Sequence, residues 1–322
     1  QDIKNTGKGK KYDCILGLSG GVDSSYMALL AKRNGLRPLL VHFDNGWNSE
    51  LAVKNIEKII EYCGFDLYTH VIDWEDFRKL QLAYVRASVV DIEVPTDHLI
   101  FGALYKIAIK NNIKIILSGT NFATEFTMPT GWNFFNKADV TNLKGVYKAF
   151  GNGKLKNIPT YSYYKKFIAN KYLGVKTVAM LNSVPYSKEG AKKELINEFG
   201  WRDYESIFTR FYQGYILPKK FNIDKRRAHL SNLICSGEIN RTEAIEELKQ
   251  PAYSEKDQLE DKEYVLRKFK LSNDEFEKIM KMPERSHEVF GLETDSVWYK
   301  IFNKFAYFIL FKIAYPLKLV KK

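Results

Sequence analysis

The chain has 322 residues, of which 45% are hydrophobic, and its formal net charge is +12. This length and composition allow one large or two ordinary buried cores, which excludes a disordered protein. The three cysteines, Cys14, Cys63 and Cys235, lie far apart, so we expect neither a zinc cluster nor a disulfide framework, and a reducing cytoplasm is the natural setting. No charged-then-apolar leader follows Gln1, so no secretion signal is expected.

The excess positive charge lies in two segments. Residues 137–172 contain eight lysines and one aspartate, and residues 210–229 contain six basic residues and one aspartate. Clusters of this kind suit polyanionic ligands, either nucleic acid or the phosphates of a nucleotide. A solvated basic surface is the structural alternative.

Strand and helix patterns alternate in the first part of the chain. The predicted strands are Tyr12–Leu18, Pro38–Phe43, Leu67–Asp73 and Ile113–Leu117, and the predicted helices are Asp23–Asn34, Ser49–Cys63 and Asp97–Lys110. This alternation predicts a Rossmann-like α/β fold with a parallel sheet that binds ligands at the carboxyl ends of its strands. Residues 122–164 show no period and predict functional loops, and the pattern from Lys188 onwards is mainly helical.

A glycine-rich turn, Ser19-Gly20-Gly21-Val22-Asp23-Ser24-Ser25, follows the first predicted strand. Its glycines allow close approach of the backbone to a ligand, and its amides and the helix start attract anions. The serine hydroxyls can donate hydrogen bonds, and Asp23 can hold a magnesium ion against phosphates. No lysine follows the glycines, so this is not the loop of kinases and GTPases.

The segment Ser19–Ser24 resembles the signature of the pyrophosphate-loop ATPases, which cleave ATP between the α and β phosphates. The resemblance implies ATP and Mg²⁺ as cofactors, with adenine and metal contacts after the second strand and further nucleotide contacts after the fourth. The implied cofactor-binding residues are Ser19, Gly20, Gly21, Asp23, Ser24, Ser25, Phe43, Asp44, Asn45, Gly119 and Thr120, with Asp23 and Asp44 as metal ligands. From the residues alone, Asp44 can equally begin a turn with Asn45-Gly46.

A second resemblance covers almost the whole chain. Residues 43–49, 131–133, 209–213 and 224–231 resemble motifs of the N-acetyl sugar amidotransferase family. That family uses ATP and ammonia to convert an acetamido group of a sugar into an acetamidino group in surface polysaccharide and nonulosonic acid pathways. The resemblance therefore implies an acetamido sugar as substrate.

The chemistry implied by this resemblance assigns roles along the chain. The expected catalytic residues are Asp23, Ser19, Arg210 and Lys225, and the expected substrate-binding residues are Trp132, Asn133, Tyr212, Gln213, Arg226, Arg227 and His229. Lys219 is a further candidate for binding phosphates, and Glu125 and His229 are candidates for acid or base. The expected division is an ATP-binding α/β domain at 1–135, basic loops at 136–187, a helical substrate-binding region at 188–296 and an amphipathic C-terminal helix at 297–322.

The sequence departs from the family pattern in two places. A cysteine-rich zinc-binding segment, common at the start of family members, does not occur in this sequence. A Gly-Gly-Lys-His stretch is also missing, since Asp203-Tyr204 runs directly into Glu205-Ser206. The roles of that lysine and histidine cannot be assigned to residues of this chain.

Several expectations concern partners. No cysteine lies in a nucleophile-like glycine turn, so we expect ammonia to come from a separate glutaminase subunit. We expect a cytoplasmic protein that binds no nucleic acid. The C-terminal helix is too short to span a bilayer, and it either packs on protein, including a second copy in a homo-oligomer, or lies on the inner membrane face. The alternative functions are a tRNA-modifying enzyme of the same ATPase class and a non-catalytic nucleotide-binding scaffold.

Overall fold

A computed structural model of the chain describes residues 1–122 and 127–308. Its strands are β1 (Cys14–Gly17), β2 (Pro38–Asp44), β3 (Leu67–Val71), β4 (Ile115–Ser118) and β5 (Lys176–Ala179). The helices of the first part are α1 (Asp2–Thr6), α2 (Val22–Arg33), α3 (Glu50–Cys63), α4 (Trp74–Ala87), α5 (Val94–Lys110), α6 (Val140–Phe150) and α7 (Tyr163–Lys171). Those of the second part are α8 (Lys188–Phe199), α9 (Ile207–Phe211), α10 (Leu217–Phe221), α11 (Arg226–Cys235), α12 (Arg241–Lys249), α13 (Glu255–Phe269), α14 (Asn273–Lys281) and α15 (Val297–Phe308).

The described strands form one parallel sheet in the order β3-β2-β1-β4-β5. Ile15 of β1 is in register with Leu39 of β2 and with Ile116 of β4. The chain runs outwards from β1 in both directions, so the switch point of the sheet lies between β1 and β4. The predicted Rossmann-like α/β fold is confirmed, and strand β5 was not predicted.

One face of the sheet is covered by α2, α3 and α8. Helix α2 begins after Gly21 and buries Leu29 against Leu16 of β1 and Leu195 of α8. Arg33 of α2 forms ion pairs with Glu194 and Glu198 of α8, at 2.6 and 2.8 Å. Helix α8, which we had predicted as part of a substrate-binding region, therefore packs on the α/β half of the chain.

The opposite face is covered by α5 and α7. Leu104 and Ile107 of α5 pack with Ala169 of α7 against Ile15 and Ile116 of the sheet. The helix α5 begins well before the predicted Asp97, with Glu93 as its N-terminal flanking residue. Its first turns consequently lie at the carboxyl edge of the sheet, where the ligand site is expected.

A third core joins the sheet to the C-terminal helices. Trp47, directly after β2, stacks on Phe208 of α9 with ring centroids 4.8 Å apart and meets Phe269 of α13 edge to face. The indole N–H of Trp47 donates to Gln81 of α4 at 2.6 Å, so this buried polar group is satisfied. The two halves of the chain thus share buried side chains.

Helix α15 presents apolar side chains to solvent, with Val297, Trp298 and Ile301 all exposed. Within residues 1–122 and 127–308, no helix combines the length and apolar character needed to cross a membrane. Residues 309–322, the remainder of the predicted C-terminal helix, lie outside the described residues.

A buried histidine anchors the loop before α5. Nε2 of His287 accepts a hydrogen bond from the backbone N–H of Asp91 at 3.2 Å, and the ring stacks on Phe134 at 4.5 Å. Burial lowers the pKa of His287 to about 4. The native imidazole is therefore neutral, as its acceptor role requires.

We predict that His287 makes stability pH-dependent. The unfolded chain binds a proton at His287 below its ordinary pKa of 6.5, whereas the native chain does so only near pH 4, so stability is lost as pH falls between these values. His287→Gln keeps an acceptor but does not titrate. The free energy of unfolding is measured by urea titration between pH 4 and 6.5. As pH falls, it should decrease less steeply in the variant than in the wild type, and the two slopes should differ by about 1.4 kcal/mol per pH unit. Equal slopes in the two proteins would contradict the prediction.

Candidate functional site

A cavity of about 370 Å³ opens at the carboxyl ends of β1, β2 and β4. Its walls come from the glycine-rich turn, the strand ends, the first turns of α5 and residues 204–209. Several residues that the sequence analysis assigned to the cofactor lie in its wall, namely Ser19, Phe43, Asn45, Gly119 and Thr120. The cavity therefore lies at the switch point of the sheet, where α/β folds bind ligands.

The glycine-rich turn is shaped to approach an anion. Gly20 has φ +82°, and a Cβ at this position would lie 2.7 Å from the carbonyl oxygen of Ala52, so only glycine fits. Ser19 is exposed, and its Oγ lies 3.1 Å from that of Ser24 and 3.3 Å from the N–H of Gly21. The turn leads directly into the positive end of α2, as a phosphate-binding turn requires.

Protein donors hold the carbonyl oxygens of this turn. The carbonyl of Gly20 accepts the indole N–H of Trp201 at 2.9 Å and the amide of Asn55 at 3.2 Å. The hydroxyl of Tyr204 donates to the carbonyl of Ser19 at 2.6 Å. These bonds fix the path of the turn without using the N–H groups that a phosphate needs.

Asp23 lies in the first turn of α2, next to the end of β4. Its carboxylate accepts a hydrogen bond from the hydroxyl of Tyr186, and its Cβ lies 3.5 Å from the position that a Cβ on Gly119 would take. Burial raises the pKa of Asp23, while the Tyr186 hydrogen bond and the charge of Lys188 oppose this. The carboxylate is half-buried, so a cation bound there would be partly shielded from water.

The other two serines of the turn are buried. Ser24 donates to the carbonyl of Gly21 at 3.1 Å and so stabilises the start of α2. Ser25 is fully buried, and its hydroxyl has no hydrogen-bond partner. In this conformation Ser25 faces the protein interior, and its predicted contact with a nucleotide stays a prediction.

At the end of β2, the side chains shape the cavity wall. Phe43 stacks on His70 with ring centroids 5.6 Å apart. Oδ1 of Asp44 accepts the N–H of Gly46 at 3.0 Å and the side-chain amide of Asn48 at 2.9 Å. Asp44 thus begins a turn, the alternative that the sequence left open, and does not itself line the cavity.

Neither of the carboxylates predicted as magnesium ligands, Asp23 and Asp44, is part of the cavity wall. Within the described ranges, no group of three or more His, Cys, Asp or Glu side chains is gathered in a geometry that could hold a metal. Mg²⁺ commonly binds to one or two carboxylates and completes its octahedron with phosphate oxygens and water. Asp23, half-buried in the first helical turn after the glycine-rich turn, is the better placed of the two, and its role as a metal ligand stays a prediction.

The predicted basic residues are mostly engaged elsewhere. Arg210 forms a bidentate pair with the buried Asp261, at 2.8 and 2.9 Å. Arg226 pairs with Asp224 at 2.8 Å and donates to a backbone carbonyl, and Arg227 is exposed. Lys219 lies over the ring of Tyr215 at 3.9 Å. None of these side chains lines the cavity, so their roles towards ATP or substrate stay predictions.

The predicted substrate-binding residues are also outside the cavity wall. Tyr212 is buried, and its hydroxyl donates to the carbonyl of Val90 at 2.6 Å. Trp132 and Asn133 are half-buried, with Trp132 packed against the third core. Burial and the charge of Lys188 lower the pKa of His229. Glu125, a candidate acid or base, lies outside the described residues.

The sequence analysis missed Glu93, which lines the cavity just before α5. Its carboxylate accepts the hydroxyl of Thr209 at 2.7 Å and the side-chain amide of Gln213 at 3.5 Å. Burial raises its pKa, and the charge of Lys225 opposes this. The available signal was the run of carboxylates at positions 91, 93 and 97, of which the predicted helix included only Asp97.

Lys188 was also missed. It is the first residue of α8, is half-buried, and forms no ion pair within the part of the chain that the structure describes. Its charge favours the ionised forms of Asp23 and Glu205. Lys188 therefore acts electrostatically on Asp23, the carboxylate that follows the glycine-rich turn.

The chain is similar to one known sequence family and, at the level of the fold, to distant solved structures. Residues 205–306 match a family model described as LPS biosynthesis protein WbpG-like, C-terminal domain. This match agrees with the resemblance drawn from the C-terminal motifs, at the level of a lipopolysaccharide biosynthesis family. No curated protein matches the chain.

Two solved structures are distantly similar. NMN synthetase from Francisella tularensis is 16% identical with a TM-score of 0.34, over 76% of this chain and 93% of that chain. An NH3-dependent NAD synthetase from Campylobacter jejuni subsp. jejuni NCTC 11168, in complex with the nitrate ion, is 16% identical with a TM-score of 0.34, over 79% of this chain and 95% of that chain. Residues 205–306 are similar to the C-terminal domain of a lipopolysaccharide biosynthesis family, and four residues of this region or next to it, Tyr204, Ser206, Phe208 and Thr209, line the cavity over the parallel sheet.

Proposed function

We propose that this chain is an ATP-dependent amidotransferase that converts an acetamido group of a sugar into an acetamidino group for surface polysaccharide synthesis. One observation carries the proposal: a single cavity joins the phosphate turn at Ser19 with Ser206, Phe208 and Thr209 of the region that matches the lipopolysaccharide biosynthesis family. A nucleotide and a sugar could therefore meet in one enclosed space.

The need for ATP follows from the substrate. An amide carbon does not exchange its oxygen for nitrogen readily, because the oxygen would have to leave as hydroxide. Attack of the acetamido oxygen on the α phosphate makes that oxygen part of AMP, a good leaving group. Ammonia can then attack the imidate carbon, and AMP departs with the original oxygen.

The turn at Ser19 supplies what the first step requires. Negative charge builds up on the pyrophosphate as it leaves, and we propose that backbone N–H groups of the turn, the helix end and Lys188 stabilise it. Asp23 would hold Mg²⁺, which neutralises further phosphate charge when bound. The aromatic side chains of Phe43 and Phe101 in the cavity wall can pack on the flat faces of an adenine or a sugar ring.

The source of ammonia is proposed to be a separate glutaminase subunit. Burial raises the pKa of Cys14 to about 12 and that of Cys63 to about 11, so both thiols are protonated and unreactive at neutral pH. Cys235 is the exposed last residue of α11 and does not line the cavity. The isolated chain should then use ammonium salts directly.

We predict that Ser19→Ala and Asp23→Ala reduce pyrophosphate release by roughly 100-fold or more, because each removes a group that stabilises the leaving phosphates. The assay is pyrophosphate release with ATP, ammonium chloride and a panel of acetamido sugars, free and nucleotide-linked. Ser183→Ala and Asp274→Ala make the same changes at exposed positions away from the cavity and should retain activity. Thermal melting separates lost function from lost folding. Normal turnover in Asp23→Ala would remove its assignment to the phosphate site.

We predict that the acetamido oxygen ends up in AMP. A sugar labelled with heavy oxygen at the acetyl carbonyl should give labelled AMP, unlabelled pyrophosphate and an unlabelled amidine product. Mass spectrometry of the three products decides the outcome. Unlabelled AMP from converted substrate, or label in inorganic phosphate together with ADP, would rule out O-adenylation.

A further inference from the structure

The geometry points to Glu93 as the catalytic base that receives the ammonium ion and takes its proton before ammonia attacks the activated sugar. This inference rests on the proposed function, and it assigns a role in the second step of that reaction. Glu93 lies in the cavity wall together with Ser19 of the phosphate turn, so both groups face the same enclosed space.

Hydrogen bonds hold both the carboxylate and the backbone of Glu93 in place. Thr209 of α9 donates to one of its oxygens at 2.7 Å, and Gln213 donates to the other at 3.5 Å. On the other side, the buried Asp91 accepts the backbone N–H of Glu93 at 3.2 Å and the N–H of Phe134 at 3.1 Å. The base is therefore preorganised rather than free to rotate into solvent.

These holding groups come from the region that matches the lipopolysaccharide biosynthesis family. Thr209 and Gln213 belong to residues 205–306, as does Lys225, whose charge acts on Glu93. The C-terminal region thus positions a carboxylate of the nucleotide-binding half. Residues from both halves of the chain thus surround one carboxylate. This placement fits a group that takes part in the reaction between nucleotide and sugar.

The chemistry of the second step needs such a group. At neutral pH the nitrogen source is mainly ammonium, a cation that cannot attack because it has no lone pair. A carboxylate attracts the cation and accepts one proton, which leaves ammonia beside the imidate carbon. The nitrogen lone pair then forms the new C–N bond, the C–O bond breaks, and AMP leaves with the bonding electrons. The sugar nitrogen picks up a proton from the added nitrogen, and the product is the amidinium ion.

The electrostatics of the position favour proton acceptance. Burial raises the pKa of Glu93, and Asp97 acts in the same direction, whereas Lys225, the Thr209 hydroxyl and Lys137 lower it. Lys137 is itself paired with Asp97 at 2.5 Å and lies 3.3 Å from Asp91. A partly buried carboxylate is a stronger base than one in water, so it can draw a proton from ammonium more readily.

The test compares the two steps in Glu93→Gln. The first step is followed by exchange of labelled pyrophosphate into ATP, with the acetamido sugar present and no ammonia. The second is followed by amidine formation with ammonium chloride. It is also followed by N-hydroxyamidine formation with hydroxylamine, which is largely unprotonated at neutral pH and needs no base to free its lone pair. We expect the ammonium-dependent rate to fall by roughly 100- to 10 000-fold. The fold-loss in the exchange rate should be smaller than this by a factor of about ten or more. Hydroxylamine should recover most of the lost rate.

The outcomes separate this inference from the proposed function. Glu57→Gln, the same change at an exposed position of α3, is the matched control and should behave as wild type. Equal losses in exchange and in amidine formation in Glu93→Gln would place Glu93 in the first step, and this would overturn the inference but not the proposed function. An undiminished ammonium-dependent rate in Glu93→Gln would have the same consequence for the inference. A wild-type chain that converts no acetamido sugar of the panel overturns the proposed function, and the inference with it.

A second variant tests the positioning residue Thr209. Its hydrogen bond lowers the pKa of Glu93, so Thr209→Val should raise that pKa and move the acidic limb of the ammonium-dependent rate to higher pH. Thr209→Ser keeps the hydroxyl and should restore the wild-type profile. An unshifted profile in Thr209→Val, with only a uniform loss of rate, would contradict the coupling to Glu93.

Discussion

The contact between Trp47 and Phe208 determines the geometry of the site. Trp47 follows the second strand of the sheet, and Phe208 belongs to the helix that also carries Thr209, so their stacked rings fix the C-terminal helices over the strand ends. An aromatic pair of this kind contributes about 0.5–1.5 kcal/mol beyond its buried area. Because Thr209 is adjacent in the chain to Phe208, any loosening of the stack would move the Thr209 hydroxyl away from the carboxylate of Glu93 that it orients.

The basic residues of the C-terminal region separate into two groups by their partners. Arg210 and Arg226 are tied to carboxylates in bidentate geometry, and removal of such a partner from a buried pair is costly. The paired carboxylates therefore largely neutralise the charges of Arg210 and Arg226. Lys188 and Lys225 form no ion pair within the described residues, and their charges act on Asp23 and Glu93 instead. Local pairing, rather than the net positive charge of the sequence, therefore decides which basic residues are available to an anion.

This distinction also explains what the sequence could predict. The glycine-rich turn between the first strand and its helix was predictable because its glycines, its position after a buried strand and the helix start are all local features. The pairing of Arg210 with Asp261 joins residues 51 positions apart, and no local pattern reveals it. The edge strand at 176–179 was missed because its first two residues are exposed and give no apolar run. Glu93 was missed because its partners lie more than 100 positions away.

The departure of this chain from the sugar-amidotransferase pattern falls beside the phosphate turn. Tyr204 bonds to the carbonyl of Ser19, and Ser206 already lines the cavity, so the Gly-Gly-Lys-His stretch would enter the chain at the rim of the site. On the proposed function, a lysine and a histidine at that rim would supply positive charge to the leaving pyrophosphate. Lys188 stands in the same neighbourhood, since its charge acts on both Asp23 and Glu205. On the proposed function, Lys188 at the start of α8 therefore supplies positive charge near the turn at Ser19. The short link from Tyr204 to Ser206 leaves Thr209 within hydrogen-bond distance of Glu93.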